Sequence, residues 1–216
     1  MFSNFDLSGW LLQMLYRIPG IIVGLSFHEW AHAYAAYKRG DPTARNLGRM
    51  TVNPAAHIDP IGILMLLIVG FGWARPVPIN PRNFKNPRKD EIIVSLAGVT
   101  TNLIVAFMFT GIWLAVAMFA YNEIAVTLIQ YVVIINLGLF LFNLIPVPPL
   151  DGYHVFQCLF IKKIGYKFFQ FVERYSTMIL IAILVLGGNT GFLGAAVGGI
   201  LNLFAGFYTR LFGLFV

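Results

Sequence analysis

The run Phe27-His28-Glu29-Trp30-Ala31-His32 sets two histidines four residues apart, with a glutamate directly after the first. On a helix, residues i and i+4 share a face, so both imidazoles can offer a ring nitrogen to one ion. Glu29 lies about 100° further round the helix, where it can reach a water at that ion without being a ligand. Zinc lowers the pKa of such a water to about 7, and a nearby carboxylate can then take its proton for attack on a peptide carbonyl. The spacing therefore predicts metal-dependent hydrolysis, with His28 and His32 as ligands and Glu29 as general base.

A catalytic zinc usually takes a third protein ligand and keeps a fourth position for water. Asp151 is the leading candidate. It is the only acid between Glu123 and Glu173, and it follows the proline-broken turn Ile145-Pro146-Val147-Pro148-Pro149-Leu150. His57 and Asp59 are rivals, in a segment that could fold back over the site. His154, three residues beyond Asp151, reads first as a polar loop or interface residue. The single cysteine, Cys158, excludes a disulfide framework and a multi-cysteine zinc site, and reads as an inert apolar filler.

These groups must be positioned by an unusually apolar chain. Of 216 residues, 58% are hydrophobic and 11% charged, against about 25% charged in an ordinary soluble domain. One small core cannot hide that much apolar surface, so lipid must cover part of it. The net charge of +6 is better read as cations on the cytoplasmic side of a membrane than as a nucleic-acid surface. The first fifteen residues carry no cation, so the first apolar stretch is expected to be retained as a span rather than removed as a secretory signal. Three ionisable groups within five residues of that span each cost several kcal/mol in lipid and call for a functional reason. All the strong ligands cluster at one depth, whereas a transport path would place polar groups through several spans.

The sequence predicts an all-α integral membrane protein of about five to six transmembrane helices, forming one domain over residues 1–216. The first span covers roughly Gly9 to Tyr37 and ends at Lys38-Arg39-Gly40-Asp41-Pro42. Two more run from Ile92 to Ala120 and from Ala125 to Leu144. A span ending near Leu186, the turn Gly187–Gly191 and a last span ending near Arg210 follow. Between the first two, residues 51–75 contain the apolar run Ile58–Phe71, too short to cross and flanked by cations. It is expected to be re-entrant or a β-hairpin, with Trp73–Asp90 an irregular surface loop. The distribution of cations puts the N-terminus outside and the C-terminus in the cytoplasm. The histidines lie about 12 Å along the helix from Lys38, inside the bilayer but nearer its cytoplasmic surface.

Three blocks, Phe27–His32, Ser95–Asn102 and Asn143–Gly152, occur in the order found in site-2 proteases, and the chain is similar to that family of intramembrane zinc metalloproteases. The stretches Asn53–Pro60 and Gly72–Pro78 resemble a compact prokaryotic branch without PDZ or CBS domains. The resemblance implies a multi-pass protein of the cytoplasmic membrane that holds one Zn2+ and cleaves membrane-anchored protein substrates in or near their transmembrane segment. It implies Asp151 as third ligand, Asn102 and Asn143 as groups holding substrate backbone or an oxyanion, with interhelical hydrogen bonding the equal alternative for both asparagines, and leaves His57 a possible accessory. A helical substrate must unwind before attack, and the Ile58–Phe71 region is expected to offer a strand edge to the unwound segment.

Overall fold

Lipid offers no partner to an unpaired backbone group, so the long apolar runs fold as helices that satisfy their own N–H and C=O groups. The computed structural model describes residues 7–69 and 72–213. Within them the order is α1 (Leu7–Arg39), α2 (Thr43–Asn46), α3 (Pro60–Val69), α4 (Pro87–Phe119), α5 (Glu123–Asn143), α6 (Asp151–Ile164), α7 (Tyr166–Arg174), α8 (Ser176–Thr190) and α9 (Phe192–Phe212). Four of these, α1, α4, α5 and α9, are long and apolar enough to cross a membrane. The pair α7 and α8, bent by 70°, makes at most a fifth. The chain is a multi-pass, all-α membrane protein.

The three central helices are α1, α4 and α5. Gly20 and Gly24 of α1 lie against Tyr131, Val132, Ile135, Asn136 and Leu139 of α5. Ala106 of α4 and Val133 and Leu137 of α5 are fully buried together, and Val197, Ile200 and Phe204 of α9 cover them. Thirty-three residues of α1 and of α4 give each a length of roughly 50 Å, more than one bilayer, so both continue beyond it.

The expected strand edge is absent. Pro60–Val69 is a helix, and no strand occurs among the described residues. Its start explains why: the Asp59 carboxylate accepts from the Gly62 N–H and Pro60 occupies the first turn, both helix-initiating features. Ten residues reach only about 15 Å, so the insert does not cross. Gly70 and Phe71, the end of the expected insert, lie outside the described residues.

A second correction concerns topology. Phe107 meets Phe204, and Phe119 meets Phe212, so α9 runs parallel to α4. Lys85 N–H bonds Arg39 C=O and Arg39 pairs with Asp90, which puts Lys38, Arg39 and the start of α4 at one end of the bundle. Arg210 is therefore at the opposite end, not on the face of Lys38. The reason is that α6 runs down beside the start of α4, with His154 at Glu91 and Arg88 at the Cys158 carbonyl. Helix α7 turns back along α6 through Tyr153 and Glu173, so α6 to α8 begin and end in the same half of the bundle.

The segment after α3 is irregular, as expected, but it is a strap across the bundle rather than a free surface loop. Near its start, Arg49 donates to the carbonyls of Arg75 and Pro76, and Arg75 N–H bonds the His57 carbonyl. Near its end, the fully buried Asp41 accepts from Asn80 N–H at 2.7 Å and Asn83 Nδ2 at 2.8 Å. Thr43 adds its N–H and hydroxyl to the same carboxylate.

Burial alone would raise the Asp41 pKa, but the donors from Thr43, Asn80 and Asn83 outweigh it and hold the carboxyl below the ordinary range. Its stabilising contribution is thus fully present above the unfolded value of about 3.9 and is lost as pH falls through the lower folded value. Proteolysis within residues 80–86 is expected to stay slow from pH 7 down to about 4 and to quicken only below it. Asp41→Ala should show the same quickened cleavage at pH 7, since it strands donors that each contribute roughly 1.5–3 kcal/mol to a charged acceptor.

Candidate metal centre

His28, Glu29 and His32 occupy consecutive turns of α1, all less than a tenth exposed. Asn102 of α4 fixes the first ring. Its Nδ2 donates to Gly24 C=O at 3.1 Å and to Asn136 Oδ1 at 2.9 Å, so its Oδ1 faces His28 and accepts from Nδ1–H at 2.7 Å. The second ring is fixed by backbone: His32 Nδ1–H donates to Val94 C=O at 2.8 Å. With both Nδ1 atoms protonated and engaged, both Nε2 atoms carry a lone pair.

Those two Nε2 atoms stand 2.9 Å apart. Asp151 Oδ2 lies 3.2 Å from each and is a buried oxygen with no hydrogen-bond donor. Three electron-rich atoms facing one another repel unless a cation sits among them. Their separations are close to the roughly 3.3 Å between ligands placed about 2.05 Å from a tetrahedral ion. The donor set therefore fits a divalent metal, and His28, His32 and Asp151 are the residues that would hold it.

Two glycines make the convergence possible. Helix α4 passes so near the rings that a Cβ on Gly98 would lie 2.5 Å from His32 Nε2. Asp151 opens α6 directly after a turn in which the Pro148–Pro149 peptide is cis. A Cβ on Gly152 would lie 2.3 Å from Leu144 C=O, so the small residue lets α6 start against the end of α5.

Glu29 faces a cavity of about 610 Å³ that also touches His28, His32 and Asp151. The strap forms its other wall through Trp73, Pro76 and Val77. Val77 N–H donates to Glu29 Oε2 at 2.8 Å, which holds the carboxylate by one oxygen and leaves the other for chemistry. The backbone donor explains why no side-chain pattern in the sequence disclosed this partner.

The other expected site residues separate. Asn143 and His154 line the cavity. Asn143 Nδ2 gives one hydrogen to Leu139 C=O, and His154 Nδ1 lies 3.4 Å from Glu91. Asn102 is fully buried with both ends of its amide engaged, its oxygen on His28 Nδ1. His57 is not among the described residues that line the cavity; it is fully buried in the insert with Nε2 on Thr51 C=O. Asp59 caps α3. Cys158 is buried, and that burial pushes its thiol up to about 11, in keeping with an inert role. Asn136, one of three side-chain amides in α5 with Gln130 and Asn143, was legible as an intramembrane polar group but not as the support of Asn102.

Asn102→Ala should weaken metal binding by roughly 10–100-fold, the usual effect of removing the partner that orients a histidine ligand. Competition of the purified protein against a zinc-sensitive chelator dye measures this, and unchanged affinity would show that Asn102 does not set the ring.

Comparison with known proteins agrees with this geometry. Over 213 residues the chain is 42% identical to YwhC of Bacillus subtilis (strain 168), covering 93% of this chain and 96% of the relative. The family description Peptidase family M50 matches residues 111–187. The chain belongs to peptidase family M50. Rip2 of Mycobacterium tuberculosis (strain ATCC 25618 / H37Rv) is 30% identical over 143 residues, 63% of this chain and 54% of the relative. Rip2 of Mycolicibacterium smegmatis is 28% identical over 153 residues, with the same shares. This M50 peptidase thus spans about half the length of the Rip2 proteins. YwhC and Rip2 are both named "Putative zinc metalloprotease". No solved structure matches the chain. The family match includes Asp151 but not His28 or His32, so the α1 half of the site rests on the geometry above.

Proposed function

We propose that this M50 peptidase is a single-domain, zinc-dependent intramembrane endopeptidase that cuts membrane-anchored proteins in or near their transmembrane segment. The observation that carries this is the meeting of His28 Nε2, His32 Nε2 and Asp151 Oδ2 within 3.2 Å, in a cavity that Glu29 shares. The relatives' names favour zinc, and so does the two-imidazole, one-carboxylate donor set. Zinc, when bound, supplies Lewis acidity that brings the pKa of a water near 7.

The residues then divide the remaining work. Glu29 takes the proton of the attacking water and returns it to the departing amine. Val77 N–H keeps the carboxylate aimed while this happens. Asn143 retains an oxygen and a second N–H that can hold the backbone of an extended substrate against the cavity wall. His28, His32 and Asp151 stay in place because Asn102, Val94 C=O and the α5–α6 turn fix them. Cations at the nearer end of the bundle, among them Lys38, Arg39, Lys85, Lys89, Lys162 and Lys163, support a site close to the cytoplasmic face of the cell membrane.

The test is an in-membrane assay with tagged single-span proteins. Cleavage should vanish on treatment with a chelator and return with zinc. A panel of such proteins left intact by the zinc-loaded enzyme would overturn the reading.

A further inference from the structure

A second cavity, of about 360 Å³, lies away from the metal. It is a crevice along α1 and α5, closed by Leu184 of α8 and Leu193 of α9. Its walls are isoleucine, leucine, phenylalanine and glycine, with two polar members, Arg17 and Tyr131. Arg17 has no carboxylate and no hydrogen-bond acceptor among the described residues. An unpaired cation within an apolar span is expensive and calls for a partner.

Position identifies the chemistry of that partner. Arg17 precedes Lys38 by 21 residues, about 31 Å along the helix, and so sits near the opposite edge of a hydrocarbon layer of about 30 Å. From there its guanidinium can reach the headgroup layer while its stem stays in the crevice. Tyr16 stacks on Tyr131 at the same level, an arrangement suited to a membrane interface. From Tyr131 to Phe142 the crevice follows α5 for about 16 Å. Its length and apolar walls suit a single acyl chain.

We propose that this crevice binds an anionic phospholipid of the leaflet opposite the metal centre, with one acyl chain along α5 and the headgroup phosphate on Arg17. The guanidinium fork matches phosphate geometry, and a zwitterionic headgroup would bring a competing cation of its own. Gly138 lines the crevice with nothing within 4 Å of its Cβ position, so the groove can be filled there without disturbing the fold.

The experiment compares the full chain in nanodiscs of phosphatidylglycerol and of phosphatidylcholine. Thermal midpoint and phospholipid retained through native mass spectrometry are read. Phosphatidylglycerol should raise the wild-type midpoint and be retained. Arg17→Gln should lose about tenfold or more of that retention, the scale of one charge-assisted hydrogen bond. Gly138→Leu should lose it too, although Arg17 is intact. Zinc content should stay at the wild-type level in both variants, which separates this result from failure of the metal site. Equal retention in Arg17→Gln, or no preference between the two lipids, overturns the proposal. So does an Arg17→Gln variant that retains lipid but cleaves substrate more slowly, because the crevice would then serve substrate.

Discussion

Glu29→Gln is expected to bind zinc as the wild type does and to cleave a membrane-anchored substrate roughly 10²–10⁴-fold more slowly, the usual contribution of a general base. The substitution is informative because it changes so little else. Gln has the same shape, and its amide oxygen can still accept the Val77 N–H that reaches Glu29 Oε2 at 2.8 Å. The strap over the cavity therefore keeps its anchor. The ligands are untouched, since His28, His32 and Asp151 make the convergence without Glu29. Only the ability to take up a proton is removed. Zinc content by elemental analysis and cleavage in the membrane are read on the same preparation. Full cleavage in Glu29→Gln would remove Glu29 from the mechanism, and joint loss of zinc and cleavage would make it a support of the metal site instead.

What the sequence could disclose follows from how far apart the interacting groups are. His28 and His32 are joined by helix periodicity alone, so four residues of local sequence were enough. Asp151 was reachable by elimination, because an apolar chain contains few acids. Partners made by backbone were not reachable: Val94 C=O and Val77 N–H carry no residue-type signal, although one sets a ligand's tautomer and the other aims Glu29. Asn102 was visible as a polar group in a span, but its role depends on Asn136 and Gly24 C=O, which come from two other helices. The insert misled for a local reason. A short apolar run between cations suits a hairpin or a short helix equally, and Asp59-Pro60 decides it through cap chemistry. Helix direction in the last third misled for a global one, since cation counting assumes each apolar run crosses, whereas α6 to α8 turn back.

Gly98→Ala poses the sharpest conflict between local and tertiary effects. In an exposed helix, replacing glycine by alanine stabilises by roughly 0.5–1 kcal/mol. At Gly98 the added methyl would lie 2.5 Å from His32 Nε2, 2.7 Å from His28 Cε1 and 2.7 Å from His32 Cε1. None of these atoms is the free end of a flexible chain. His28 is tethered through Nδ1 to Asn102, and His32 to the backbone of α4 itself. The helices cannot part easily either, because Val94, Val99, Val105 and Ala106 of α4 are all buried in the core. Relief must come from turning the rings away from their common point, which removes the metal site. Zinc is therefore expected to fall from about one per chain to near none, with cleavage lost, while overpacking costs the fold only about 1–3 kcal/mol and helical content by circular dichroism is kept. Gly199→Ala in α9, where nothing lies within 4 Å, should keep both zinc and activity. Wild-type zinc affinity in Gly98→Ala would mean that the rings tolerate displacement, and that the close approach of α4 is not what brings the three ligand atoms together.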